Sequence, residues 1–234
     1  TSSTFVQNDE ADERAISQGN SSVEGSLRAI YRVPTAANQA IGLLKTYRPT
    51  PAADIAEMYF ARGFAQLQLA SDFCNGIPLS DASGDVVQLG SPLPINDIYN
   101  VAIASFDTAM QMTGGTSNAE VAINRAARIG RARALIGLNQ QAQTAALVTG
   151  IPTTFTYDVT SSLTGGNNGI FSQGARQRRY TVGDSLEGNA RNILVKNVIP
   201  FFSLKDPRVP SVYTVSSNGK DTTKSQDGIT FSRT

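Results

Sequence analysis

The 234-residue chain carries one cysteine, Cys74, and no histidine. Those two counts remove the Ser-His-Asp and Cys-His nucleophile systems and the two-histidine zinc helix. A single thiol also rules out an internal disulfide, a CxxC redox pair and a cysteine-based zinc cluster. What remains is carboxylate chemistry, a Lys or Tyr base, or no chemistry. Glycoside cleavage by two carboxylates needs no histidine and stays open on composition. Ordinary catalysis is disfavoured, and no cofactor or metal is expected.

Cys74 lies in "DFCNGIPLSD", where a helix stops. A reactive thiolate needs a cationic neighbour or a helix N-terminus to lower its pKa. Cys74 has instead the negative end of a helix and Asp72 close by in sequence, both of which raise a thiol pKa. It reads as a small apolar-like side chain in a corner formed with Phe73, Asn75, Gly76 and Pro78, with an intermolecular disulfide as the alternative. Asp81, Ser83 and Asp85 have the spacing of the first three ligands of a calcium loop. Val86 stands where that loop requires glycine and Pro92 where it requires glutamate, so the spacing is not read as a site.

Binding is the chemistry better supplied. "GARQRRY" gathers Arg176, Arg178, Arg179 and Tyr180, a set suited to an anionic or sugar ligand or a partner, against the plainer reading of a solvated basic loop. Arg125, Arg128 and Arg131 recur along one predicted helix, where such a row reads as a wet face or as a dock for a partner's carboxylates. There is no tryptophan. Most aromatic side chains fall on helical stripes and read as core. Tyr157, Phe171, Tyr180 and Tyr213 fall in irregular sequence and are better platforms for a ligand.

The charges balance at +1, which gives no field for nucleic acid or an acidic bilayer, and no nucleic-acid partner is expected. Charged residues make up only 17% of the chain. The apolar runs are far shorter than the roughly 18–20 residues that a membrane helix needs.

The elements that must position these groups are helical over the first two thirds. In "VEGSLRAIYRVPTAANQAIGLLKTY" the residues Leu27, Ile30, Tyr31, Ile41 and Leu44 keep a helical period, with Pro34 predicted to kink or divide it. Thr50-Pro51 restarts the chain as cap and first helical residue. The next helix, about Pro51 to Phe73, puts Ala56, Phe60, Phe64, Leu67 and Ala70 on one stripe. Beside them is Gly63, which predicts close approach by another backbone, since glycine costs a helix roughly 1 kcal/mol against alanine. A third helix runs from about Asn96 to Met112 with Tyr99, Ile103, Phe106 and Met110 on its buried face. Ser117 and Glu120 form a capping box for a fourth, whose seam Ile123, Ala127, Gly130, Ala134 and Gly137 is small. A short partner helix then closes at Gly150. Helix, tight turn and shorter helix make a tetratricopeptide-like hairpin, although an ordinary bundle would show similar seams.

Beyond Ile151 the pattern changes. "TTFTYDVTSS" alternates like a strand, "ILVKNVIPFF" reads as a short buried segment, and "SVYTVSSNGKDTTK" as strand and turn. The expected fold is mainly α: a tetratricopeptide-like helical hairpin scaffold over 1–150, with an irregular, loop-rich and partly β portion over 151–234 packed on it.

Several segments together resemble the SusD/RagB-like family. "AADIAEMYFARGFAQLQLASDFCNGIPLSD" is similar to that family's signature helix and exit turn. The matching positions are Ala56, Glu57, Arg62, Gly63, Phe73, Gly76, Ile77, Pro78 and Leu79. "INDIYNVAIASFDTAM", "NRAARIGRARALIGLNQQAQTAALVTGIPTTFTYD" and "DPRVP" resemble the segments that follow, in the same order. The resemblance implies a non-enzymatic lipoprotein of the bacterial outer membrane, on the cell-surface side. It would act as the lid of a SusC-like TonB-dependent transporter and capture a glycan, oligosaccharide or peptide. It also implies a longer chain with a lipid anchor as its only membrane contact; neither the lipoprotein signal nor the acylated cysteine is in this sequence, which resembles a piece trimmed at both ends. A tetratricopeptide-like scaffold for a protein partner, or a self-assembling surface protein, is the alternative. In either case Cys74→Ala is expected to leave ligand capture intact; loss of binding with the fold retained would overturn the reading of Cys74 as a corner residue.

Overall fold

Asn20 starts the first helix by accepting a hydrogen bond from the Val23 amide at 3.0 Å through its side-chain oxygen. The computed structural model describes residues 6–7, 10, 15–73, 75–160, 185–187, 193–194, 200–205, 207, 211–215 and 222–226. The fold is mainly α. Helix α1 (Ser21–Tyr47) is followed by α2 (Ala52–Asp72), α3 (Ile95–Gln111), α4 (Asn118–Gly137) and, after a 3-10 turn at Gln141–Gln143, α5 (Thr144–Val148). Each helix packs on the next, and α2 also packs on α4, which is the contact order of stacked helical hairpins.

Helix α1 runs unbroken through Pro34. The proline forfeits one backbone hydrogen bond, at a cost of about 3 kcal/mol in an isolated helix. Here Leu27, Ile30 and Tyr31 pack on the core before it, while Ala37 and Ile41 are buried after it. Tertiary packing on both sides outweighs the local break. Pro51 is the N-cap of α2 rather than its first turn, one position from expectation, and makes no side-chain cap. The capping box of α4 is complete: the Glu120 amide donates to Ser117 Oγ at 3.3 Å, and the Ser117 amide donates to Glu120 Oε2 at 3.3 Å.

The core is organised by rings set against glycines. Phe106 of α3 is fully buried, and its ring lies against Gly63 of α2 on one side and Gly130 of α4 on the other. Tyr99, about two turns earlier on α3, lies against Gly137, about two turns later on α4. The reversed order sets α3 antiparallel to α4. The close approach expected at Gly63 is made by α3: the Phe106 ring and the Ser105 Cβ would stand 3.0–3.1 Å from a methyl group there.

Helix α2 ends where the Phe73 amide donates to the Leu69 carbonyl at 3.2 Å. Gly76 follows at φ +97°, a left-handed conformation that favours glycine. Its amide donates to the Leu93 carbonyl at 2.9 Å. Strand β1 (Ile77–Pro78) then pairs antiparallel with β2 (Pro92–Leu93), Ile77 opposite Leu93. The Asn75 side-chain oxygen accepts from the Ile95 amide at 2.7 Å and so holds the first residue of α3. Phe73, Asn75, Gly76 and Pro78 thus make the corner expected of them; Cys74 lies outside the described residues.

The chain divides into two compact units, Thr1–Tyr157 and Asp158–Thr234. Residues 151–157, expected at the head of the irregular portion, belong to the helical unit, with Phe155 and Tyr157 packed on its core. Residues 153–154 form a turn, in which the Phe155 amide donates to the Pro152 carbonyl at 2.9 Å, and residues 155–160 belong to no strand. Their alternation is real, but it serves helices instead of a sheet. In the second unit β3 (Leu186–Glu187) pairs antiparallel with β4 (Ile193–Leu194), and β5 (Ser211–Val215) with β6 (Thr222–Gln226). A short helix, α6 (Phe201–Leu204), lies between the pairs in sequence. Leu194, read as buried, is exposed.

Gly130→Ala tests the ring-on-glycine packing. A methyl group there would stand 2.5 Å from Phe106 Cε1 and Cζ. Helix propensity favours alanine by about 1 kcal/mol, whereas overpacking a core costs about 1–3 kcal/mol. Thermal unfolding should show a lower Tm for Gly130→Ala, partly restored by adding Phe106→Leu. A rise in Tm would mean that the contact does not constrain the fold.

Candidate functional site

Helix α2 supplies most of the polar chemistry of the helical unit, and three of its residues, Tyr59, Arg62 and Gln66, build one network. Arg62 Nε donates to Ser105 Oγ of α3 at 3.1 Å, and its Nη1 donates to Asn38 Oδ1 of α1 at 2.9 Å. Its guanidinium carbon stands 4.7 Å from the centre of the Tyr59 ring. Ser105 Oγ in turn donates to Gln66 Oε1 at 2.8 Å. Asn38 Nδ2 donates to Asp81 Oδ2 at 3.0 Å, which ties the loop after β1 to the helices. Burial lowers the pKa of Arg62, while Tyr59 and Asp81 oppose that change.

Asp81 is the acidic end of this network. Burial pushes its pKa up, but hydrogen bonds from Ser83 and Asn38 and the charge of Arg62 together hold it below the ordinary value. Its Oδ1 accepts the Ser83 amide at 2.9 Å, and its backbone exchanges two hydrogen bonds with Gln88. The carboxylate therefore closes the base of the loop, with both oxygens engaged by protein donors. The Asp81, Ser83, Asp85 spacing is a loop closure, and among the described residues no cluster of three metal-ligating side chains occurs.

The arginine row of α4 is not a solvated face. Arg128 Nε donates to the Leu147 carbonyl at 2.6 Å and Nη2 to the Thr149 carbonyl at 2.7 Å, closing the end of α5. Arg131 Nε donates to Asp107 Oδ1 of α3 at 2.6 Å. Arg125 lies 5.8 Å from the centre of the Phe155 ring. Beside Arg128 and Arg131 is an open groove of about 620 Å³ between α3, α4 and α5, with Met110, Asn124 and Gln143 on its walls. Both arginines that line it are already engaged by the protein.

Of the residues expected to bind ligand, Arg176, Arg178, Arg179 and Tyr180 lie outside the described residues. Tyr157 is placed on α2. Its ring meets Phe60 edge-on with centroids 4.8 Å apart, and its hydroxyl donates to Glu57 Oε1 at 2.7 Å. Burial, then the Glu57 carboxylate, holds its pKa well above the ordinary value. Tyr157 is thus seated as a latch, its ring on Phe60 and its hydroxyl on Glu57.

Phe64, assigned by its spacing to the buried stripe, is corrected by the structure. It is 40% exposed, with Arg133 of α4 5.8 Å from its ring centre and Phe60 at 6.1 Å. Arg133 was absent from the sequence reading because it falls outside the even spacing of the other three arginines. Only its position about two turns from Arg125, on the side of α4 that meets the 151–157 segment, could have signalled it.

Comparison with protein-family models, with curated proteins and with solved structures found no match to this chain.

The carboxylate of Asp81 sets a pH dependence. Its folded pKa is depressed, so its contribution is present above the unfolded value of about 4 and is lost as pH falls through the lower folded value. Denaturant titrations should show the intact chain losing stability below about pH 4 more steeply than Asp81→Asn. Identical acid limbs would show that Asp81 is not part of the network's support.

Proposed function

We propose that the chain is a non-enzymatic, nutrient-binding surface subunit that acts as the lid of a TonB-dependent outer-membrane transporter. The observation that carries this reading is where the residues of the SusD/RagB-like resemblance fall. Arg62 and Gly63 are the centre of helix packing, and Gly76, Ile77, Pro78 and Leu79 lie in the corner that turns α2 toward α3. The mainly helical, hairpin-stacked scaffold is the kind of frame the resemblance implies. In this reading the cargo is a glycan, oligosaccharide or peptide, the partner is a SusC-like barrel, and a lipid anchor provides the only membrane contact.

A second reading has its own observation. The stripe Glu57, Phe60, Phe64 and Gln68 on α2 is covered at its start by Tyr157 and open at Phe64, which suits a tetratricopeptide-like scaffold for a protein partner.

Purification of the chain from its native membrane under mild detergent separates the two readings. A large outer-membrane β-barrel should co-purify, and the isolated protein should hydrolyse no glycan. A stable complex without a barrel would favour the second reading. Turnover of a glycan would overturn both.

A further inference from the structure

The residues Glu57, Phe60, Phe64 and Gln68 follow one another at helical spacing along a single face of α2. The first half of that face is occupied by the chain itself. Tyr157 sits edge-on to Phe60 and donates to Glu57, while Phe155 lies against Arg125 of α4. The segment after the turn at 153–154 therefore already seats its aromatic side chains on α2 and α4, one on a ring and the other on a guanidinium.

The second half repeats these features, and among the described residues no aromatic side chain from another segment is seated on it. Phe64 is 40% exposed, and Arg133 stands over its ring. The Arg133 guanidinium makes only a long 3.5 Å hydrogen bond, to Gln68 Oε1, and has no carboxylate partner among the described residues. Ile136, one turn on from Arg133 along α4, is 51% exposed. A cation held against an exposed ring, with an aliphatic side chain beside it, is not needed to close the core beneath, since that task falls to Phe60, Phe106 and Gly130.

We propose that Phe64, Gln68, Arg133 and Ile136 form a docking site for a peptide segment of a partner protein, one that carries an aromatic side chain close to an acidic one. The aromatic ring stacks on Phe64 as Tyr157 stacks on Phe60, and the acidic group pairs with Arg133. The site continues, along α2 and α4, the surface that Phe155 and Tyr157 already cover. The positive charge of Arg133, unpaired with a carboxylate among the described residues, selects an acidic peptide over a basic one. This site does not depend on whether the chain serves a transporter.

The test uses the full chain and short fluorescein-labelled peptides that place a Tyr next to, or one residue before, an Asp. Anisotropy should show saturable binding. Phe64→Ala and Arg133→Glu should each weaken it about tenfold or more, as truncation of a ring or guanidinium at a hot spot does. Circular dichroism should be unchanged in both variants, and Leu43→Ala on exposed α1 should bind as the parent does. Replacing the peptide Asp with Lys should abolish binding to the parent and restore it to Arg133→Glu. No saturation up to about millimolar peptide, or affinity indifferent to both substitutions, overturns the proposal. So does a dimer in sedimentation that Phe64→Ala dissolves, because the occupant would then be a second copy of the chain.

Discussion

The helical unit depends on one ring. Phe106 fills the space left by two absent side chains, Gly63 on α2 and Gly130 on α4, and so fixes the distance between three helices at once. Burying a phenylalanine side chain contributes about 1.5–3 kcal/mol. Its larger effect is geometric, because a flat ring between two bare backbone surfaces allows little sliding. The Tyr99 ring against Gly137 sets the second point of the α3–α4 register, and two points along an antiparallel pair define both its offset and its rotation. The polar network beside the ring follows from that placement. Ser105, the neighbour of Phe106 in sequence, is set where Arg62 and Gln66 can reach it.

From this contact the rest of the unit can be traced outward. Arg62 reaches from α2 to α1 through Asn38, and Asn38 reaches to the loop through Asp81. The corner after α2 is held by Asn75, which ties the end of one helix to the start of another. On the far side, Arg128 closes α5, a helix of five residues that is too short to persist alone. Guanidiniums and amides therefore act here mainly as struts between elements, which explains why several residues that looked available for ligands are occupied. Arg133 differs from its neighbours on α4 in that no element of the described chain takes up its charge.

Much of the scaffold was legible because its signals are local. The Ser117–Glu120 capping box, the glycine at the α2 exit and the small seam of α4 are each decided within a turn or two of sequence, and each is where the sequence places it. Pro34 does not divide the helix, because the packing of Leu27 and Ile30 on one side and Ile41 on the other is a tertiary effect that propensity does not contain. Phe64 misled for the opposite reason. Its spacing is that of a core residue, yet it is 40% exposed, one turn beyond the ring of Phe60 that Tyr157 meets. The roles of Arg125, Arg128 and Arg131 could not be read from the row itself, because their partners Phe155, Leu147 and Asp107 come from other elements. Gly63 was rightly singled out as a point of close approach, but a sequence cannot say whether a ring or a backbone arrives there.

The Tyr157 latch gives the chain a temporal order. Its bond to Glu57 joins residues 100 apart, whereas the Arg62–Asn38 strut joins residues 24 apart. Closing the longer loop costs only about 1 kcal/mol more in chain entropy, since that cost grows with the logarithm of length. The difference lies in what must exist first. The ring of Tyr157 has no seat until Phe60 is fixed by Phe106, so the strap fastens onto a bundle that is already assembled and comes off before the bundle opens. In amide-exchange terms, residues 151–157 and the helices beneath them are two separate clocks, with the strap as the faster.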